Sequence, residues 1–279
     1  MSSNMLAPFS ICYLQLRKWV KKPEIYAVLI CISIFMYSKV IPIKEMIMDT
    51  GVRATPFLFP FLFSDPYMGF FILIGSIVAF ADAPFWDISQ STSLVRVGRS
   101  SWIVGQLLYL LTASIIYILF VFLVSILLMY PSLILENEWG SIWQTLAQTD
   151  AAILYKIELA VPYSIICNYT PLQAVGVEFL MGTLVSFFIG ILIFTINFNF
   201  NKKAGVGIAS FLVLLAIRAS SMHPWVIRVL PTYWVRISAL PKEKVGIRPT
   251  ISGAIICLIT INILLIVIIL IRAYRRDLK

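Results

Sequence analysis

The chain has almost none of the residues from which catalytic or metal centres are built. Its 279 residues include one histidine, His223, and the sequence contains no HExxH, DxDxDG or GxSxG motif. The four cysteines follow no CxxC or paired spacing; they are Cys12, Cys31, Cys167 and Cys257. These absences argue against a metalloenzyme, a hydrolase and a disulfide framework. We therefore expect no catalytic residue and no metal site.

A nucleotide-binding loop is missing as well. The sequence has no GxxxxGK[ST] motif, so this chain does not bind ATP through a P-loop. We expect no cofactor on the chain itself. If the protein moves a molecule at the expense of ATP, a partner subunit must bind the nucleotide.

Charged residues are scarce, and this scarcity indicates the class of protein. Only 13% of the residues are charged and 60% are hydrophobic, whereas a soluble domain has about 25% charged and 45–50% apolar residues. A chain solvated by lipid needs apolar runs of about 20 residues. The formal charge of +9 comes from basic residues beside such runs, without an aromatic-rich basic patch. The sequence predicts an integral membrane protein and argues against nucleic-acid binding.

Six apolar runs predict an all-α polytopic fold with six transmembrane helices in a single domain, residues 1–279. Residues 9–22 place apolar and basic side chains at helical spacing, which predicts an interfacial amphipathic helix before the first run. We expect Pro42 to end the first span, and part of residues 132–172 to lie on the membrane surface. The expected spans are residues 25–41, 57–81, 102–129, 172–196, 204–220 and 251–271.

The distribution of lysine and arginine favours both termini in the cytoplasm. Basic residues are denser in the pieces that would then be cytoplasmic, although the last outer segment, residues 221–250, is also basic. We expect a multi-pass protein of the cell membrane. The many isoleucines and lysines favour a bacterial source.

Polar and small residues inside the apolar runs are candidates for function. Glu178 and Asn262 lie in the fourth and sixth runs, where burial of a polar group is expensive. They predict a polar translocation path or an interhelix hydrogen bond, and anchoring at the membrane interface is the alternative. Gly182, Ser186 and Gly190 recur every four residues, a pattern typical of close helix packing. The packing partner is either this chain or a second copy.

Residues 82–106 form a long, soluble-looking stretch between two strongly apolar runs. It begins with Asp82 and Asp87, and Arg96 and Arg99 lie just before the next apolar run begins at Trp102. A second irregular stretch, between the fifth and sixth runs, contains His223-Pro224-Trp225 and Leu230-Pro231-Thr232-Tyr233-Trp234.

This layout resembles the ABC-2 type transporter permease family. The resemblance covers nearly the whole chain and implies that residues 82–101 form a coupling helix that docks on an ATPase. In that family an acidic residue precedes an arginine-containing stretch, which here corresponds to Asp87, Arg96 and Arg99. The family often has a lysine further on, where this chain has Gln106. The resemblance also implies short re-entrant outer helices between spans five and six.

The resemblance implies a permease subunit of an ATP-binding cassette transporter that exports a peptide, lipid or drug-like substrate. Its partners would be ATPase subunits on separate chains, a second permease in a homodimer or heterodimer, and the lipid bilayer. A non-transporting membrane anchor, immunity protein or assembly protein is the alternative. A secondary carrier is disfavoured, because such proteins line their path with several ionisable groups.

Overall fold

The computed structural model describes residues 6–85, 98–200, 204–243, 246 and 248–277. Across these ranges the regular structure is helical, which confirms the all-α prediction, and a single parallel bridge joins Ala54 and Leu133. Short 3₁₀ turns cover Ala219–Ser221, Pro231–Tyr233 and Ile237–Ala239. The α-helices are α1 (Ala7–Trp19), α2 (Pro23–Thr50), α3 (Phe59–Ser64), α4 (Pro66–Phe80), α5 (Arg99–Met129), α6 (Gly140–Gln148), α7 (Ala151–Leu154), α8 (Tyr163–Asn168), α9 (Pro171–Asn199), α10 (Ala204–Arg218), α11 (Pro224–Val229) and α12 (Ile251–Asp277).

Within the described ranges, four helices are long and apolar enough to cross a membrane: α2, α5, α9 and α12. The apolar helices α4 and α10 have 15 residues each, which corresponds to about 22 Å against a hydrocarbon core of about 30 Å. The structure therefore supports a membrane protein with four spanning helices, and the number six stays a prediction.

The apolar run 57–81 is broken rather than continuous. Asp65 has an extended backbone (φ −71°, ψ 124°) and its carboxylate accepts a hydrogen bond of 2.7 Å from the Met68 amide. An aspartate that caps the helix, followed by Pro66, starts a new helix at this point. The expected second span is thus two helices, α3 and α4.

The prediction that Pro42 ends the first span is wrong. Helix α2 passes through Pro42 and ends at Thr50, where Gly51 adopts the left-handed conformation (φ +68°) and its amide reaches Ile47 O at 3.0 Å. A proline removes one backbone donor and leaves the carbonyl one turn earlier without its helical partner. In an apolar environment the helix is still favoured, because it pairs the remaining backbone groups. Buried neighbours on both sides of Pro42, Val40 and Ile43, hold the helix in place.

Helix α1 lies close to the predicted position but packs against protein. It runs along α5, and a Cβ at Gly105 of α5 would lie 2.7 Å from Ile11 Cβ. The apolar side chains of Phe9 and Tyr13 are exposed on the other side of the helix. The buried side chains of α1 are Ile11, Cys12, Gln15 and Trp19.

Helix α9 is the central helix of the bundle. It contacts α4, α5, α10 and α12, and 72% of its most apolar window is buried, against 22% for α12. Helix α9 therefore forms the centre of the helix packing.

Candidate functional site

The first end of residues 82–106 is attached to the junction between α1 and α2. Lys22, in that junction, forms an ion pair with the exposed carboxylate of Asp82. Its ammonium also lies 5.7 Å from the centre of the Phe85 ring, and that ring packs edge-on against Tyr109 of α5 at 4.9 Å between centroids. These residues lie at one end of the helix bundle, together with the start of α5 (from Arg99) and the end of α9 (to Asn199). We call this end the N-terminal end of the bundle, because the junction between α1 and α2 lies there.

Asn197 joins three helices at the same end. Its Nδ2 donates to Ala83 O, just after α4, at 2.7 Å, and its Oδ1 accepts from the Gly205 amide of α10 at 2.9 Å. A Cβ at Gly205 would lie 2.7 Å from Ile193 O, so only glycine allows this close approach of α10 to α9. A single buried amide thus fixes the ends of α4, α9 and α10 relative to one another.

The structure places only part of the predicted coupling surface. Asp87 and Arg96 lie outside the described residues. Arg99 is the first residue of α5 and follows Gly98, which has φ +82°. Gln106, which stands where the resembled family often has lysine, is fully buried on α5. Of the predicted coupling residues, Arg99 is therefore the one whose position is known, at the N-terminal end of the bundle.

The opposite end of the bundle is closed by a layer of aromatic side chains, which we call the cap (residues 51–64 and 130–170). Trp143 Nε1 donates to Thr55 O at 3.1 Å, and Thr55 Oγ1 donates to Trp139 O at 3.1 Å. Trp139 Nε1 in turn donates to Tyr169 O at 2.9 Å. The Phe61 ring lies 5.3 and 5.2 Å from the rings of the two tryptophans. Hydrogen bonds and ring contacts therefore join segments far apart in the chain.

Helix α6 belongs to this cap. Its apolar side chains Ile142, Trp143 and Leu146 are all buried in the protein, and Trp143 contacts Phe61 of α3 and the backbone of Thr55. The prediction that part of residues 132–172 lies on the membrane surface stays a prediction.

A charged contact ties α2 to the cap. The side chain of Lys39 is only 9% exposed and its Nζ lies 2.5 Å from Oε2 of the exposed Glu158. The hydrogen bond from Lys39, and then its charge, lower the pKa of the Glu158 carboxyl. A lysine deep in an apolar helix is tolerated when it has such a partner.

Glu178 and Asn262, the predicted polar residues, lie on different helices, α9 and α12. Glu178 is completely buried, neither carboxylate oxygen has a hydrogen-bond partner, and its charge acts on Tyr169. Burial first, and then Glu178, raise the pKa of the Tyr169 hydroxyl. Asn262 of α12 reaches Leu184 O with its Nδ2 at 3.4 Å, so it joins α12 to α9.

The small residues of α9 face other helices of the same chain. A Cβ at Gly182 would lie 3.3 Å from Phe63, and one at Gly190 would lie 3.1 Å from Phe80. Ser186 Oγ lies 3.0 Å from Ser76 Oγ of α4. This face is therefore occupied within one chain.

Two features of the packing were not identified from sequence. Tyr117 of α5 donates its hydroxyl to Ile72 O of α4 at 2.6 Å. A Cβ at Gly75 would lie 2.1 Å from that hydroxyl oxygen, so the glycine makes room for it. Gly75 and Ala79 form a small-residue pair four residues apart in the sequence. No sequence pattern near them indicates that Tyr117 is their partner. The role of Asn197 was missed because it lies in a polar run read as the end of a span.

Comparisons of the chain with protein-family models, with curated proteins and with solved structures give no match.

Proposed function

We propose that the chain is the membrane-spanning permease subunit of an ATP-binding cassette transporter, working with ATPase subunits on separate chains to export a peptide, lipid or drug-like substrate. One observation carries the proposal. The described residues at both ends of the predicted coupling segment, residues 82–101, lie at the N-terminal end of the bundle, where α1 packs against α5. A segment attached in this way is suited to receive a force from a docked partner.

The contacts at this corner provide routes from the segment to the spanning helices. Asp82 reaches α2 through Lys22, and Ala83 reaches α9 and α10 through Asn197. The other end continues, through Arg99, into the 31-residue helix α5. Movement of a docked ATPase would therefore act on α2, α5 and α9 together, as a shift of packed helices between two arrangements.

A six-span arrangement follows if α4 and α10 cross the membrane with help from the segments beside them. Helix α3 extends α4 toward the cap, and the turn after α11 folds back onto α10: Thr232 Oγ1 donates to Leu212 O at 2.9 Å. A segment that returns toward the middle of a helix is what a re-entrant outer element does. In this arrangement both termini are cytoplasmic, the cap is external, and a second permease packs alongside in the cell membrane.

The proposal is tested by reversing charge in the coupling segment, with Arg96→Glu and Arg99→Glu combined. We expect the double variant to lose ATPase subunits that co-purify with the unaltered chain from its native membrane. Arg228→Glu is the matched control, because this exposed arginine lies beside Trp225 and away from the segment. Full retention of the ATPase in the double variant contradicts the proposed docking surface. Failure of any ATPase to co-purify with the unaltered chain favours the membrane-anchor alternative.

A further inference from the structure

Glu178 is the buried group whose presence the fold does not explain. It lies about two turns into α9, its side chain is 0% exposed, and both carboxylate oxygens lack a hydrogen-bond partner. A buried carboxyl in this condition is costly to ionise unless a positive group joins it. Most buried polar groups avoid this cost, so an exception needs a reason.

Three elements meet in the region of Glu178. Helix α3, helix α9 and the turn Ile237–Ala239 all contact one another. The backbone amide of Ile237 is near enough to act electrostatically on Glu178, but it makes no hydrogen bond of normal geometry. Tyr169 is the titratable neighbour from the cap side, and its hydroxyl is also buried without a hydrogen-bond partner.

Arg236, which directly precedes the turn Ile237–Ala239, has other partners than Glu178. The guanidinium of Arg236 stacks on the Tyr233 ring at 5.1 Å and is influenced by the charge of Asp65. Burial lowers the pKa of Arg236, with Tyr233 and Asp65 opposing this shift. Among the described residues, no lysine or arginine forms an ion pair with Glu178.

A cationic ligand would offset the charge of this carboxyl, because carboxylates attract ammonium and guanidinium groups. The tip of the Phe63 ring lies beside Gly182, one turn along α9 from Glu178. A neutral hydrogen-bond donor would satisfy the carboxylate oxygens but leave their charge uncompensated, and an anion would be repelled.

We propose that Glu178 binds a cationic group, an ammonium or guanidinium, of the molecule that crosses the bundle. In this structure the site is closed by α3 and the turn Ile237–Ala239, and it opens when these elements separate from α9. The inference rests on the proposed transport function, for which it names a substrate class: molecules with an organic cation.

The test compares a cation with a neutral molecule of the same shape. The unaltered chain in lipid nanodiscs is heated with phenethylammonium or with phenethyl alcohol, and unfolding is followed by tryptophan fluorescence. We expect the cation to raise the midpoint of the unaltered chain in a concentration-dependent way and the alcohol to have no comparable effect. Glu178→Gln should abolish the shift, while the exposed control Glu136→Gln should keep it. Equal shifts in Glu178→Gln, or no shift in the unaltered chain, overturn the proposal.

A second measurement needs no variant and so does not depend on whether Glu178→Gln folds. Dicyclohexylcarbodiimide adds a carboxylic acid O–H across one C=N bond, and the O-acylurea rearranges to a stable N-acylurea with no leaving group. We expect mass spectrometry to find this adduct at Glu178, and phenethylammonium to reduce its yield severalfold while the alcohol does not. Absence of the adduct, or equal protection by both molecules, contradicts the site.

The outcomes separate this inference from the proposed function. Cation-specific protection of Glu178 in a chain that binds no ATPase supports the site and contradicts the transporter proposal. If an ATPase co-purifies with the chain but the cation does not protect Glu178, the transporter proposal is supported and the cation site is contradicted.

Discussion

The two ends of the bundle are held by different kinds of contact. At the cap, Trp139 and Trp143 are buried, hydrogen-bonded through their indole nitrogens and stacked near Phe61. At the N-terminal end, the described connections to the segment after α4 include an ion pair, Lys22–Asp82, and the buried amide of Asn197. The cap is held mainly by packed, hydrogen-bonded rings, whereas the segment after α4 is attached by an exposed ion pair and one buried amide besides the Phe85–Tyr109 ring contact.

This difference suggests which end moves. Burying a large apolar side chain contributes about 1.5–3 kcal/mol, whereas an exposed ion pair contributes about 0–1 kcal/mol. Opening the cap therefore requires the loss of several buried aromatic contacts together, whereas the Lys22–Asp82 ion pair at the N-terminal end breaks at small cost. We expect the N-terminal end to respond to a partner and the cap to open only when the helices beneath it shift.

The largest effect is expected from removing a ring of the cap. Trp143→Ala should destabilise the protein by about 3–5 kcal/mol, because it leaves a cavity where a fully buried indole had packed and bonded. Reversible unfolding in mixed micelles measures the loss. Trp225→Ala, at a half-exposed indole with 52% of its surface free, is the control and should change stability little. Equal losses would show that the cap is not specially stabilised.

A medium effect is expected at the N-terminal end, from Asn197→Ala. Two bonded backbone groups, Ala83 O and the Gly205 amide, lose their partner, at a cost of about 1–3 kcal/mol. Hydrogen exchange should become faster around residues 83 and 205 and stay unchanged in the cap.

Asn199→Ala serves as the comparison, because Asn199 bonds only within its own helix, to Thr195 O at 2.8 Å. Exchange that increases equally in both variants, or that spreads to the cap, would show that Asn197 does not act as a local clamp.

The Lys22–Asp82 contact should have a smaller effect. The two side chains are 33% and 71% exposed, so the coupling free energy in a double-mutant cycle with Lys22→Ala and Asp82→Ala should be at most about 1 kcal/mol and should fall with added salt. A larger, salt-independent coupling would mean that this end is as rigid as the cap.

The polar contact of the cap should show itself in the pH dependence of stability. Because Lys39 lowers the pKa of Glu158 in the folded protein, the contact stabilises the fold above the carboxyl's unfolded pKa of about 4.3. This contribution is lost as the pH falls through the lower, folded pKa. Relative to Glu158→Gln, the unaltered protein should lose stability with acidification over that range. Parallel pH profiles for the two proteins would contradict the ion pair.

The sequence predicted those features that depend on local pattern. Long apolar runs located α5, α9 and α12 to within a few residues, since composition and length alone determine a spanning helix. Pro42 was misread because a proline ends helices in water more readily than in an apolar environment. Asp65-Pro66 was not recognised as a break, although the pair is a helix-start signal.

The candidate site depended on contacts that no local pattern reveals. Glu178 could be selected as a polar residue in an apolar run, but its lack of a partner depends on how α3 and the turn at Ile237 pack. The bonds of Thr55 with Trp139 and Trp143 join positions 84 and 88 residues apart. Contacts between residues so far apart in the chain cannot be predicted from local sequence patterns and become visible only in the folded structure.

The most direct test of the central claim, that a motor docks at the N-terminal end, is photo-crosslinking in living cells of the source organism. A photoreactive amino acid replaces Asp87 in one strain and the exposed Glu136 of the cap in another. The account predicts that position 87 yields an adduct with a chain carrying a GxxxxGK[ST] motif and that position 136 does not. No such adduct at position 87, or equal adducts from both positions, would contradict it.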